Sequence, residues 1–134
     1  MTNIPLIPLS RSRLPPAHPS RYTHSMIAWE DFEKVDIRVG KILEIEPFAG
    51  RHSTHILKID FGPEIGIKKS LAKLKPRYEG PELIGTQVLG VVNFPPRQIG
   101  PHMSETLTLG VPDGAEGLAL IRPDVQVPEG GRLF

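Results

Sequence analysis

The chain has 134 residues, with 16 Lys and Arg side chains against 15 Asp and Glu and no cysteine. This length suits one domain, and without cysteine a disulfide framework, a zinc ribbon and a thiol nucleophile are excluded. No stretch approaches the roughly 20 apolar residues of a membrane-spanning helix, and so small a domain leaves little room for a deep cofactor cleft. We therefore expect a binding module with no membrane insertion, no catalytic residues and no cofactor.

The first 25 residues differ in composition from the rest. They contain Arg, His and five Pro but no acidic residue, and the prolines prevent a helix or a strand from propagating. We expect a disordered tail. The prolines also break the amphipathic helix of an organellar transit peptide, so a start codon placed upstream of the true first residue, Met26, is the favoured explanation.

Residues 26–134 then form the single domain. They carry 13 basic and 15 acidic side chains, a formal charge of −2. A polyanion would therefore have to bind to a local patch of cations rather than to the surface as a whole.

The first predicted elements are a helix and a long strand. The segment 29–35 places acidic residues in its first turn, where a helix N-terminus favours them. A strand follows over 36–45, in which Ile37 and Val39 point toward the interior and the apolar alternation slips at Gly40. Glycine at such a slip indicates a β-bulge that bends the strand.

The remaining elements predict a small barrel. Apolar alternation predicts strands at 57–61, 65–67 and 107–109, a continuous apolar run predicts one at 88–92, and a last apolar run lies at 118–121. The Pro- and Gly-rich connection 72–85 holds at most short helical turns. This pattern indicates an all-β, five-stranded OB-fold barrel with a short N-terminal helix and a C-terminal β extension. Because 88–92 is apolar on both faces, its outer face should meet the helix, the extension or another subunit, and we expect a homodimer.

A basic cluster is the first candidate for function. Five cations fall within ten positions with no acidic residue between them: Lys68, Lys69, Lys73, Lys75 and Arg77. A charge run is commonly only a solvated loop face, but OB-folds also track the phosphates of nucleic acid with such cations. Arg38 and Lys41 flank the predicted bulge, and we expect both to converge on the same face as the cluster, with Arg38 directed away from the core. This convergence favours the nucleic-acid interpretation.

The segment 93–100, with the sequence NFPPRQIG, is a stiff loop after the strand at 88–92. Pro95 and Pro96 fix its direction, and Arg97 offers a planar cation for a phosphate or a base edge. Phe94 either provides a stacking plane or plugs the mouth of the barrel, and the sequence does not decide between these roles.

Other chemistries find little support. His52, His55 and His102 could suggest a metal site, but no cysteine is present and the segment 50–55 is predicted to be a loop, so no metal is expected. His102, Ser104 and Glu105 do not form a hydrolase site, because neighbours on an extended chain point to opposite faces and no nucleophile elbow is present. Walker and dinucleotide motifs are also absent from the sequence.

Three motifs together resemble a known family. The segments DIRVGKI at 36–42, KIDFGPEIGIKKS at 58–70 and VVNFPPRQIGPHMSETLTLG at 91–110 resemble the tRNA-binding domain that occurs fused to aminoacyl-tRNA synthetases and as free-standing proteins. Within that family, the chain is most similar to the stand-alone CsaA type, described as a secretion-related chaperone in bacteria. The resemblance covers nearly all of residues 27–134.

The resemblance implies an OB-fold, a homodimer built through the leading helix and the C-terminal segment, binding of tRNA or other structured RNA, and no catalysis. It also implies RNA-binding roles for Arg38 and Lys41, for Asn93 and Arg97, and for Ser104 and Glu105. The family often has Ser-Glu-Gly-Met where this chain has Ser-Glu-Thr-Leu at 104–107. That departure leaves more room for a role in peptide binding.

Two functions follow as hypotheses. The first is a cytoplasmic, non-enzymatic tRNA-binding protein that uses cations for phosphates and stiff loops for positioning. The alternative is a chaperone that binds unfolded precursor proteins for export, in an apolar crevice of the dimer formed around Phe94, Pro95 and Pro96.

Overall fold

The fold comes from a computed structural model that describes residues 25–134; the expectations for the preceding 24 residues lie outside this range. The described chain contains two short helices and a 3-10 turn: α1 (Trp29–Glu33), α2 (Gly62–Ile65) and the 3-10 turn Pro81–Leu83. The strands are β1 (Ile37–Phe48), β2 (Arg51–Asp60), β3 (Ile67–Lys73), β4 (Gln87–Val91), β5 (Arg97–Ile99), β6 (His102–Ser104), β7 (Leu107–Thr108), β8 (Gly110–Pro112) and β9 (Leu118–Leu120).

The main sheet is antiparallel and nearly closes into a barrel. Its strand order is β3-β2-β1-β4-β7, and β3 and β7 approach each other at the remaining gap. Two hairpins, β5–β6 and β8–β9, extend from it. The predicted all-β, five-stranded OB-like barrel with a short N-terminal helix and a C-terminal extension is confirmed.

The barrel interior is apolar. Ile42 of β1, Leu57 and Ile59 of β2 and Val88 of β4 are fully buried around Phe61, which follows β2. Because burial of each large apolar side chain contributes roughly 1.5–3 kcal/mol, this cluster supplies the main driving force for closing the sheet.

The predicted bulge at Gly40 is wrong. Pairing between β1 and β4 runs without interruption from Ile37 to Lys41, and the two irregularities in β1 lie between Ile42 and Glu44 and between Pro47 and Phe48. Gly40 instead faces inward, where a Cβ would lie 2.7 Å from an atom of the Phe61 ring. Glycine has no side chain, so an inward-facing glycine interrupts the apolar alternation of the sequence. This interruption resembles the shift in alternation that a β-bulge produces.

Three segments differ from the sequence-based assignment. The segment 50–55, expected to be a loop, lies mostly in β2, and the lysines at 68, 69 and 73 lie in β3 rather than in a loop. The predicted strand at 65–67 is instead the end of α2 followed by the start of β3. In β3 the polar residues Lys68 and Ser70 are on the core side while Ile67 and Leu71 are on the outer face, so the segment lacks the usual apolar alternation of a half-buried strand.

The C-terminal segment pairs with the backbone of β1 and β4. The Leu89 amide donates to the Ile121 carbonyl, and the Val39 amide donates to the Gly131 carbonyl. The side chain of Gln87, which is buried, donates to the Val127 carbonyl and accepts from the Val127 amide, so that it binds this segment as a neighbouring strand would. The apolar outer face of β4 is therefore buried within one chain and does not require a second subunit.

No helix among the described residues is long and apolar enough to cross a membrane.

Candidate nucleic-acid interface

Side chains close the barrel between β3 and the segment that follows β6. The Glu105 amide donates to the Lys69 carbonyl at 2.7 Å, and the Lys69 amide donates to Oε1 of Glu105 at 2.8 Å. The Leu71 amide donates to Oγ of Ser104 at 3.2 Å. The side-chain oxygens of Ser104 and Glu105 thus accept the β3 amides that a neighbouring strand would otherwise bind.

This closure creates a concave surface, which we call the β3 pocket, of about 400 Å³. Its apolar lining includes Leu71 of β3, Phe94 and Pro95 of the loop after β4, and Leu107 of β7. Phe94 and Leu107 are each about half exposed. The aromatic ring is therefore at the surface of the pocket and does not plug the barrel. Its polar lining comes from Arg97, Ser104, Glu105 and Thr106.

Cations stand beside the β3 pocket. Ser70 and Ala72 are buried and point inward, so Lys69, Leu71 and Lys73 lie on the outer face of β3. Successive residues on one face are about 7 Å apart, which places a lysine on each side of the pocket-lining Leu71. Arg97, exposed on β5, lines the pocket itself.

Many of the other Lys and Arg side chains form ion pairs with carboxylates. Six of the 13 Lys and Arg side chains in residues 25–134 lie 2.6–3.6 Å from a carboxylate oxygen: Lys34, Arg38, Lys58, Lys75, Arg77 and Arg132. Lys75 and Arg77, at the end of the basic cluster, pair with Glu79 and Asp113. Within the described chain, no such pair involves Lys69, Lys73 or Arg97.

Arg38 does not join the cations of β3. It lies on the face of Gly40 and Ile42, its side chain is 15% exposed, and Nε donates to Asp36 at 2.6 Å while Nη1 donates to the Gly130 carbonyl at 2.9 Å. The hydrogen bond to Asp36 raises the pKa of Arg38. The expectation that Arg38 points away from the core toward a shared cationic face is wrong, because the uninterrupted alternation through Gly40 turns it inward.

Lys41 and Lys68 also separate from the pocket. Lys41 lies three residues from Arg38 and therefore on the other face of β1. It pairs with Asp60 of β2, and Asp60 pairs with Ile67 of β3. It is therefore two strands away from β3. Lys68 pairs with Ile59, whose side chain is in the core, so it points to the other side of β3 from Lys69.

Asn93 joins the pocket loop to the start of the domain. Its Oδ1 accepts from the Asp36 amide at 2.9 Å, and its Nδ2 donates to the Lys34 carbonyl at 2.8 Å. Pro96 is exposed beside the pocket but does not line it. Asn93 thus fixes the base of the loop that carries Phe94 and Arg97.

Asp113 holds the β8–β9 hairpin and draws Arg77 toward it. Its Oδ1 accepts from the Ala115 and Gly117 amides, and these hydrogen bonds, led by that of Ala115, lower the pKa of Asp113. The carboxylate is therefore ionised and pairs with Arg77 at 3.4 Å.

Sequence reasoning missed Leu71, Ile99 and Leu107, which belong to the apolar lining of the pocket. Had 67–73 been recognised as a strand, the two-residue spacing of Lys69, Leu71 and Lys73 would have placed Leu71 on the same face as the two lysines. Among the described side chains, no group of three or more metal-ligating residues occurs.

Comparison with known proteins places this geometry in a family. A family model described as "Putative tRNA binding domain" matches residues 37–132. The chain belongs to this tRNA-binding family. The match includes the β3 pocket and the strands that form it.

Two solved structures share both fold and sequence. Chaperone CsaA from Bacillus anthracis is 37% identical, with a TM-score of 0.76 over 82% of this chain and all of that chain. CsaA chaperone protein from Picrophilus torridus is 42% identical, with a TM-score of 0.74 over 81% of this chain and all of that chain. The similarity to the CsaA type is confirmed.

A curated relative is much longer. The methionine–tRNA ligase of Pyrococcus horikoshii is 35% identical over 107 residues, which is 80% of this chain but 14% of the ligase. The chain therefore corresponds to the tRNA-binding domain of that enzyme. The family description names a binding domain, and the two similar solved structures are described as chaperones.

The ion pairs make Arg38 a stabilising residue. Arg38→Ala removes two contacts to Asp36 and one to the Gly130 carbonyl, and we expect the free energy of unfolding to fall by about 1–3 kcal/mol. Arg97→Ala is the matched control, because Arg97 is exposed, and should change stability by less than about 0.5 kcal/mol. Chemical denaturation measures both; equal effects of the two substitutions would contradict this assignment.

Proposed function

We propose that the protein is a non-enzymatic RNA-binding protein whose partner is tRNA or a similarly structured RNA. The main support is the grouping of Lys69, Lys73 and Arg97 around the β3 pocket, with no ion pair among the described residues, in a domain that is slightly acidic overall. Such cations release counterions from phosphates and attract a polyanion to one side of the molecule.

In this proposal the pocket residues have different roles. Lys69, Lys73 and Arg97 bind phosphates, and the exposed ring of Phe94 offers a surface for an unstacked base. Asn93, Ser104 and Glu105 act by positioning the loop and β3, because their side-chain polar atoms already bind backbone groups. Lys41 and Lys68 lie outside the pocket and would contact only a ligand that extends beyond it.

The proposal assigns binding to the domain 26–134 and locates it in the cytoplasm with its tRNA partner. The relatives named methionine–tRNA ligases support tRNA as the partner, since the shared segment is the one that matches the tRNA-binding family. Aminoacylation is not proposed, because the chain spans only about 14% of such a ligase.

The expected affinity for tRNA depends on salt and on the unpaired cations. Lys69→Ala and Arg97→Ala should each weaken binding about three- to tenfold at about 100 mM salt and lower the salt slope by about one. Lys75→Ala and Arg77→Ala are matched controls, because Glu79 and Asp113 already pair with those side chains. Fluorescence anisotropy with labelled tRNA across a salt titration measures these effects.

Two results would contradict this function. One is an affinity that does not change across the salt titration. The other is RNA that co-purifies with the protein at low salt but contains no enrichment of tRNA when it is sequenced.

The apolar lining of the β3 pocket favours a second function. Leu71, Phe94, Pro95 and Leu107 could bind an apolar segment of an unfolded precursor protein, and the two similar solved structures are described as chaperones. In this alternative the client and the RNA share one surface.

Phe94→Ala separates the two functions. If the pocket binds polypeptide, the protein suppresses aggregation of an unfolded client even at high salt, and Phe94→Ala reduces this suppression because it removes the exposed ring. Light scattering from a denatured client measures the effect, with Ile84→Ala as an exposed apolar control. Loss of suppression at high salt would argue against the chaperone function, and competition by excess tRNA would indicate a single shared surface.

We also propose a homodimer. A concave apolar surface combines Trp29, Phe32 and Val35 at the N-terminal end with Leu133 and Phe134 at the C-terminal end, and Trp29 is 82% exposed. Exposed apolar groups of this size favour association, and a second copy of the same surface gives a closed two-fold contact.

The dimer is tested by mass. Light scattering after size-exclusion chromatography should give twice the mass of one chain, and Trp29→Ala should shift the protein toward the monomer because it removes the largest exposed ring of the surface. Ile84→Ala, which alters an exposed apolar side chain elsewhere, should leave the mass unchanged. A monomeric unsubstituted chain at micromolar concentration would contradict the proposal.

A further inference from the structure

The tip of the β1–β2 hairpin carries an arginine that the proposed site does not use. Phe48 ends β1, Arg51 begins β2, and the two pair across a two-residue turn that ends at Gly50, with φ of 86°. The Arg51 guanidinium carbon lies 5.2 Å from the centre of the Phe48 ring. This is the range of a cation–π contact, which is worth about 0.5–1 kcal/mol at an exposed site by a general estimate.

The hairpin tip is anchored to the β5–β6 hairpin. Phe48 is 7% exposed and packs edge-on against the ring of His102, with centroids 5.1 Å apart and an interplanar angle of 72°. Gly100, in the turn between β5 and β6, approaches the same ring so closely that a Cβ there would lie 3.2 Å from it. The position of Arg51 is therefore fixed relative to the hairpin that carries Arg97.

The guanidinium N–H groups of Arg51 are available to donate to a ligand. The residue is exposed, and its contact with the Phe48 ring involves no carboxylate or carbonyl oxygen. Within residues 25–134, no ion pair to a carboxylate involves it. A planar guanidinium already held in place loses little entropy on binding, and its geometry suits the oxygens of a phosphate.

Arg51 lies at the end of β2 near which β3 ends, beyond a register irregularity between Pro47 and Phe48. Lys73 pairs with Thr54, which lies three residues after Arg51 on β2. Arg97 is three residues from Gly100, a span of about 10 Å along an extended strand. The hairpin tip thus contacts the turn of the β5–β6 hairpin, whose first strand carries the pocket-lining Arg97.

We propose that Arg51 binds a phosphate of the same RNA that occupies the β3 pocket, which extends the interface from the pocket to the tip of the β1–β2 hairpin. This inference rests on the proposed RNA-binding function. Phe48 and His102 are positioning residues in this arrangement, because they fix the hairpin tip and need not touch the ligand.

The test compares tRNA binding by the full chain and three variants. Arg51→Ala should weaken the affinity for labelled tRNA about three- to tenfold at about 100 mM salt and reduce the salt slope by about one. Arg51→Lys should retain the slope, because the charge remains, while recovering only part of the affinity. Arg122→Ala is the matched control, because Arg122 lies far from the hairpin tip. Its neighbour Ile121 accepts a hydrogen bond from the Leu89 amide, and Leu89 pairs with Val39, nine residues along β1 from Phe48.

The outcomes separate this inference from the function it rests on. Should Arg51→Ala bind within about twofold of the full chain with an unchanged slope, or should Arg122→Ala lose as much, Arg51 is not a phosphate contact. If Arg97→Ala still weakens binding in that case, the proposed RNA-binding function stands. If the full chain does not bind tRNA at all, both are wrong.

Discussion

Closure of the barrel depends on the contact between β3 and the segment 104–108, where side-chain hydrogen bonds take the place of a regular ladder of backbone hydrogen bonds. Between β3 and the segment 104–108, Glu105 exchanges two hydrogen bonds with the backbone of Lys69, one through its amide and one through its carboxylate. Buried Ser70 adds a 2.7 Å contact to the Thr108 hydroxyl and donates to the Thr106 carbonyl. A hydrogen bond to a charged group is worth roughly 1.5–3 kcal/mol, so the carboxylate is a strong substitute for the missing carbonyl.

This mode of closure also determines where the candidate site lies. Because Ser104 and Glu105 reach β3 with their side chains, the chain beside them departs from the sheet and leaves a concavity lined by Leu71. The outward lysines of β3 then border a pocket instead of a flat surface. Structural residues and the proposed binding residues are thus adjacent, and Glu105, which resembles a binding residue by motif, hydrogen-bonds to β3 across the closure of the barrel.

The sequence predicted the fold class well because strand periodicity and turn residues are local signals. Of the candidate pocket, the sequence singled out the loop at 93–100, which contributes Phe94, Pro95 and Arg97 to the lining, and Lys69, which lies next to the lining residue Leu71 on the same face of β3. Arg38 was misplaced because its face depends on Gly40, and a glycine selected for close approach to Phe61 gives no hydrophobic signal. Which cations are paired could not be predicted either, since the pairs of Arg77 with Asp113 and Arg38 with Glu64 join segments far apart in the chain.

The C-terminal segment has a consequence for biosynthesis. The backbone amides of Val39 and Leu89 donate to carbonyls within residues 121–131. The side-chain amide of Gln87 hydrogen-bonds to the backbone of Val127. A nascent chain that has emerged only through β4 therefore exposes an apolar strand face and a polar side chain without its partners. Residues 121–131 are translated after β4, so the burial of β1 is completed only once they have emerged.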